Sequence, residues 1–175
     1  MKKIILYIAA SLDQRIAEPD GSLDWLSEFS NSEKIDSGYT DPFNEVDTII
    51  MGGKTYRELL SMDAIWPYPN LHTYVVSHHK WNAQENVCFI TENIIETIAE
   101  LRNREGKDIW LVGGGGLISI LLAADLIDEM RITYMPVILG KGIPLFPEQP
   151  KESKWTLLES KSHTNGILEV KYQRK

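Results

Sequence analysis

The stretch Trp110-Leu111-Val112-Gly113-Gly114-Gly115-Gly116-Leu117-Ile118 sets four glycines between an apolar, β-rich run and a helical pattern. Glycine lets the backbone turn sharply and lets a ligand approach without Cβ atoms in the way. The helix start that follows offers unpaired N–H groups and a partial positive charge, an environment suited to a pyrophosphate. A plain flexible turn is the simpler reading, but it rarely needs four glycines. A Rossmann fingerprint is the obvious rival. It usually sits on the first strand and needs an acidic residue about 20 residues on. Here the glycines follow a late strand, and Asp128 and Glu129 come too soon.

Two further segments have the same character. Ile49-Ile50-Met51-Gly52-Gly53-Lys54-Thr55-Tyr56 reads as strand, glycine pair and helix start, with the Lys54 cation and the Thr55 hydroxyl in the first turn. Val75-Val76-Ser77-His78-His79-Lys80 reads as another strand end, where Ser77, His78 and Lys80 can meet a further phosphate. Each alone is equally a solvated strand end. Together, on one edge of one sheet, they predict a dinucleotide with an extra phosphate, and so NADP. Metal chemistry is not predicted. His78 and His79 are adjacent and point apart on a strand, while His72 and His163 lie in unrelated contexts.

These segments need a scaffold, and the sequence supplies one. Short apolar runs at 4–10, 48–52, 73–77, 87–91, 109–113 and 130–137 are rich in Ile, Val, Tyr and Thr, and several are apolar on both faces. Strands covered on both sides by helices have this pattern. Helices are predicted over 54–62, 93–104 and 117–124. Asn93 is the expected cap of the second, with Glu96 three residues later as in a capping box. Runs at 155–163 and 167–172 flank Thr164-Asn165-Gly166, a hairpin signal in which both turn residues should tolerate positive φ. The segment 18–45 is the least regular and scatters Trp25, Phe29, Tyr39 and Phe43, a wall over a cleft or a packed loop. The expectation is a three-layer α/β fold: a mixed, mostly parallel twisted sheet closed by a C-terminal antiparallel hairpin, with helices on both faces, spanning 1–175 as a single domain.

Bulk properties narrow the function. The chain has 175 residues, 43% hydrophobic and 25% charged, with net charge −7. A general nucleic-acid binder usually carries a basic surface, so that class is disfavoured. The apolar start at residues 4–10 is too short for a membrane span and reads better as a first strand than as a leader. No membrane or nucleic-acid partner is expected, and the cytoplasm follows by default. The lone Cys88 is expected as a small buried hydrophobe in its strand.

The sequence resembles the dihydrofolate reductase superfamily, most closely the branch related to the C-terminal reductase domain of bacterial riboflavin biosynthesis. Five stretches carry the resemblance. Residues 8–17, Ile-Ala-Ala-Ser-Leu-Asp-Gln-Arg-Ile-Ala, are similar to the opening strand and the S-x-D-G-x-I-A stretch, with Gln14 where Gly is usual. Met51-Gly52-Gly53-Lys54-Thr55 is similar to M-G-R-x-T, Val76-Ser77-His78 to the V-x-S-R strand end, and Val112-Gly113-Gly114-Gly115 to the glycine loop. Pro136 to Phe146 is close to P-x-x-x-G-x-G-x-x-L-F of the riboflavin-type branch.

The resemblance implies a site. Ala9 and Ile16 would line the nicotinamide, and Gly52, Gly53, Lys54 and Thr55 would meet the adenosine phosphates. Ser77 and His78 would meet the 2′-phosphate. Val112, Gly113, Gly114, Gly115, Gly116, Leu117 and Ile118 would cradle the pyrophosphate. Asp24 is the expected catalytic carboxylate, in place of the buried one that binds the pterin amidine in dihydrofolate reductases, with Trp25 as a substrate-pocket wall; as a residue, Asp24 equally suits a helix cap. Asp13 is a second carboxylate, or a stabiliser of its turn. Thr133 matches a substrate-facing position. Gly53 and His78 stand where Arg is common, which weakens the preference for NADPH over NADH, since His lacks the fixed charged fork of Arg. The implied activity is NADPH-dependent reduction of a small heterocyclic (pterin- or pyrimidine-like) or carbonyl substrate. A catalytically inactive nucleotide-binding domain and a true dihydrofolate reductase are the alternatives. A homodimer is the expected assembly.

Overall fold

The computed structural model describes residues 1–30, 42–62, 65–81, 84–147 and 152–175. Tyr39, one of the scattered aromatics, lies outside them. The strands are β1 (Ile4–Ser11), β2 (Arg15–Ala17), β3 (Val46–Gly52), β4 (His72–Val76), β5 (Val87–Ile90), β6 (Asp108–Gly113), β7 (Glu129–Met135), β8 (Ile143–Pro144), β9 (Trp155–Ser162) and β10 (Leu168–Arg174). The helices are α1 (Ser27–Ser30), α2 (Pro42–Glu45), α3 (Gly53–Met62), α4 (Ile94–Arg102) and α5 (Gly115–Ala123), with a 3-10 turn at Asp24–Leu26. Among the described residues, no helix is long and apolar enough to cross a membrane.

Eight strands form one sheet in the order β5-β4-β3-β6-β1-β7-β10-β9, and β2 pairs with β8 separately. The pairings from β5 through β7 are parallel, while β10 is antiparallel to β7 and β9. The expected mixed, mostly parallel sheet with a closing hairpin is therefore what the chain forms. Side chains alternate between its two faces, as a pleat requires. Ile4 and Leu6 of β1, Ile50 of β3, Leu111 of β6 and Ile132 of β7 join α4 and α5 through Ile98, Leu101, Leu117, Ile118 and Leu121. On the other face Ile49, Met51, Val75 and Trp110 meet Tyr56, Leu59 and Leu60 of α3. Leu6, Ile50, Leu111 and Leu121 are fully buried, and each contributes about 1.5–3 kcal/mol by leaving water.

Three local expectations are corrected. Cys88 is exposed, not buried, because β5 is the outermost strand of the sheet and one side of it faces solvent. Asn93 makes no side-chain cap to α4; it sits at φ +48, and its backbone carbonyl takes the Thr97 N–H instead. In the last hairpin only Gly166 has positive φ, +86. The Gly166 N–H bonds the His163 carbonyl and the His163 N–H bonds the Ile167 carbonyl. This is the three-residue loop with a left-handed glycine, not a two-residue turn with two left-handed residues.

Candidate cofactor and substrate site

Because β1, β3, β4, β6 and β7 run parallel, their carboxyl ends share one edge of the sheet, where open α/β sheets bind ligands. The three segments singled out by sequence meet there. β3 and β6 are neighbours, with Met51 in register with Gly113. A Cβ at Gly52 would lie 3.7 Å from the Gly114 nitrogen, and one at Gly114 would lie 3.6 Å from Thr55 Oγ1. A Cβ at Gly53 would come within 2.9 Å of Ser77 Oγ and 3.0 Å of the Trp81 ring. The two glycine turns and the end of β4 thus form one continuous backbone surface.

The turn into α5 is built for close approach. Gly113 has φ +126, and the Gly113–Gly114 peptide is cis. A Cβ on Gly115 would strike the Pro144 carbonyl at 2.8 Å, whereas one on Gly116 would meet nothing within 4 Å. Gly115 is glycine for packing, and Gly116 faces open space. Gly114 caps α5 without a side chain. The first intrahelical bond is Ile118 N–H to the Gly114 carbonyl at 3.0 Å, so the N–H groups of Gly115, Gly116 and Leu117 precede it. This corrects the expectation for Ile118, whose donor is engaged and whose side chain is in the core. Leu117 is also a core side chain and has only its backbone to offer.

At the far side of the cradle, α3 has no acidic residue in its first turn, and Lys54 is exposed there. Ser77 Oγ accepts the His79 N–H at 3.1 Å, while His78, His79 and Lys80 are exposed. The room that an arginine would need at position 53 is taken by the half-buried Trp81. The Arg57 guanidinium lies over the Trp81 ring, 5.1 Å from its centroid. Sequence reasoning missed both residues, because only the fold brings Arg57, one turn along α3, against a loop after β4.

A crevice opens beside this cradle. β1 pairs with β6 only from Ile4 to Leu6, yet continues with β7 as far as Ser11. Where β1 parts from β6, the Trp110 indole donates to the Tyr7 carbonyl at 3.0 Å. Above it, a Cβ on Gly113 would sit 3.4 Å from Ile8 Cδ1. Ala9 faces the side of the sheet where Trp25 packs on Met135 and Ile167. Ile16 belongs to the opposite cluster with Ala10 and Leu145, so the two expected nicotinamide residues face different sides. Thr133 is 8% exposed and in register with Ala9. Trp25 is 8% exposed.

Asp24 is exposed at the start of its 3-10 turn, which Leu23 caps without a side-chain bond. It is therefore neither the buried carboxylate the resemblance implied nor a side-chain cap. Asp13 stabilises its loop. It accepts from Ser11 Oγ at 2.6 Å, from the Leu139 N–H at 3.1 Å and from the Gly140 N–H at 2.8 Å. The Ser11 hydroxyl above all, against a smaller opposing push from burial and helped by those two N–H groups, holds its carboxyl down at about 2. Gln14, where Gly is usual, adopts φ +57 in the same loop.

The pattern of the RibD C-terminal domain matches residues 2–169. The chain belongs to the RibD C-terminal domain family. The Bacillus subtilis (strain 168) protein YwjB is 42% identical over 167 residues, covering 95% of each chain. A Shewanella sp. PV-4 protein named for riboflavin biosynthesis superposes with a TM-score of 0.86 at 33% identity, over 99% of both chains. Dihydrofolate reductase from Enterococcus faecalis, complexed with NADP(H) in its own structure, superposes with a TM-score of 0.68 over 99% of this chain and 96% of that one. At 17% identity that last likeness is one of fold. The chain thus shares its fold with dihydrofolate reductase.

Proposed function

We propose that this chain is an NADPH-dependent reductase acting on a small heterocyclic, pterin- or pyrimidine-like, or carbonyl substrate. The meeting of Gly52-Gly53, Ser77 and Gly113-Gly114 at one edge of a parallel sheet carries the reading. The residues there suit the cofactor. The open space over Gly116 and the N–H groups at the start of α5 suit a pyrophosphate. Lys54, Thr55, Ser77 and His78 suit the phosphates of the adenosine half. A chain of net charge −7 that gathers Lys54, Arg57 and Lys80 beyond the ends of β3 and β4 has placed cations where an anion would come. Arg57 and Lys80 offset the missing arginines at positions 53 and 78. The NADP(H) complex of the Enterococcus faecalis enzyme supports the same reading.

When bound, the cofactor supplies hydride. The chain's own residues hold and shield it. The glycine turns admit the phosphates, the gap between β1 and β6 receives the nicotinamide beside Ala9, and Trp25 with Met135 and Ile167 keeps water from that face. Purified protein with NADPH is expected to oxidise it when offered at least one member of a panel of dihydropterins, aminopyrimidinones and simple carbonyl compounds. Tight NADPH binding without consumption across the panel would favour the inactive nucleotide-binding alternative. Dihydrofolate as the best substrate would favour a true dihydrofolate reductase.

A further inference from the structure

Once Asp24 is found in solvent, the substrate face of the sheet still holds a carboxylate. Ala9, Thr133 and Glu169 stand in one row across β1, β7 and β10, each in register with the next. Directly opposed residues on neighbouring strands point to the same face. Glu169 has a side chain only 13% exposed, and His163 beside it is 9% exposed. Glu169 Oε2 lies 3.4 Å from His163 Nε2, but that nitrogen is buried and makes no hydrogen bond. Lys161 stands opposite Glu169 on β9.

A second unengaged group lies next to this pair. Trp25 is 8% exposed, and its buried Nε1 has no hydrogen-bond partner among the described residues. Its ring packs on Met135 and Ile167. Met135 lies two positions beyond Thr133, and Ile167 two positions before Glu169, so the indole sits over the adjacent row on the same face. A buried N–H left without an acceptor is unfavourable, and a ligand that supplies one is favoured.

Resting on the reductase reading above, we propose that Glu169 is the substrate-binding carboxylate, and that it works with the Trp25 indole N–H. The pair presents one acceptor and one donor. It therefore fits a heterocycle with an N–H donor and a carbonyl acceptor on one edge, the amino-oxo-pyrimidine type. Thr133, between Ala9 and Glu169, lies under the ring of such a ligand.

The probe is free pterin, followed by its fluorescence anisotropy, titrated with the full chain in the presence and absence of NADP+. Wild type is expected to bind it. Glu169→Gln is expected to weaken binding by about tenfold or more, since it removes a charge-assisted hydrogen bond. Trp25→Phe, which keeps a ring but loses the donor, is expected to weaken it by roughly fivefold. Glu159→Gln, an exposed charge on the same hairpin, is expected to change nothing. The proposal is overturned if wild type does not bind pterin, if Glu169→Gln binds within twofold of wild type, or if Asp24→Asn abolishes binding while Glu169→Gln does not. NADP+ affinity, measured on the same samples by tryptophan quenching, separates the two readings. Loss of NADP+ binding in wild type counts against the reductase reading, whereas normal NADP+ binding with no effect of Glu169→Gln counts against this assignment alone.

Discussion

Position 53 carries glycine where the resemblance implies an arginine, and the fold accounts for the difference. The Trp81 ring and the Ser77 hydroxyl occupy the space a side chain would enter. Charge is supplied from the next turn of α3 by Arg57, held over Trp81. His78 remains exposed at the end of β4. If it meets the 2′-phosphate, His78→Ala should raise the NADPH dissociation constant by about tenfold, the size of one lost charged hydrogen bond. NADH lacks that phosphate and should bind as before; equal losses for both cofactors would remove His78 from the site. Asp13 gives a residue-scale outcome with a defined sign. Its folded pKa, about 2, lies below the unfolded 3.8. The native state therefore resists protonation, and the stabilisation is complete above about 3.8 and disappears as pH falls through about 2. Urea midpoints of wild type and Asp13→Asn should differ steadily at neutral pH and converge between those two values. A difference that persists at pH 2 would show that the carboxylate is not its source.

At the scale of elements, the turn from β6 into α5 separates two reasons for glycine. A Cβ at Gly115 would press the Pro144 carbonyl, and one at Gly116 would stand in open space. Gly115→Ala should thus destabilise the fold by about 1–3 kcal/mol, as overpacking does. Gly116→Ala should leave the melting temperature unchanged or raise it, because alanine suits a helix better than glycine. It should nonetheless weaken NADPH by roughly tenfold, since its Cβ enters the space a phosphate would take. Calorimetry and cofactor titration on the two variants read these outcomes independently, and a Gly116→Ala protein with unimpaired NADPH binding would show that the phosphates do not lie there. The glycine turns were legible in the sequence because glycine runs between a strand and a helix announce themselves locally. What was not legible depends on register or on position in the sheet. Ile118 looks like a cradle residue until its N–H is found inside α5. Cys88 looks buried until β5 proves to be the edge. The Thr133 to Glu169 row exists only once β7 and β10 are paired.

For the whole molecule, one device organises the rest. Parallel strands bring their carboxyl ends to one edge, and β1 leaves β6 after three paired residues while keeping β7 for seven. The resulting gap lies beside the glycine cradle, and the residues in register with Ala9 extend from it toward the last hairpin. The mostly parallel sheet and its closing hairpin came through in the alternation of apolar runs and helical patterns, since each helix must cover a sheet face; the strand order did not. The early parting of β1 from β6 left no mark in composition or periodicity, because the apolar residues of both strands continue unchanged past it. The most direct test of the account is titration of the wild-type chain with NADPH and with NADH, following the quenching of its five tryptophans. Saturable quenching by both is expected, with a dissociation constant at least about tenfold lower for NADPH, the worth of one or two phosphate contacts. Binding of neither cofactor, with the protein folded, would contradict it.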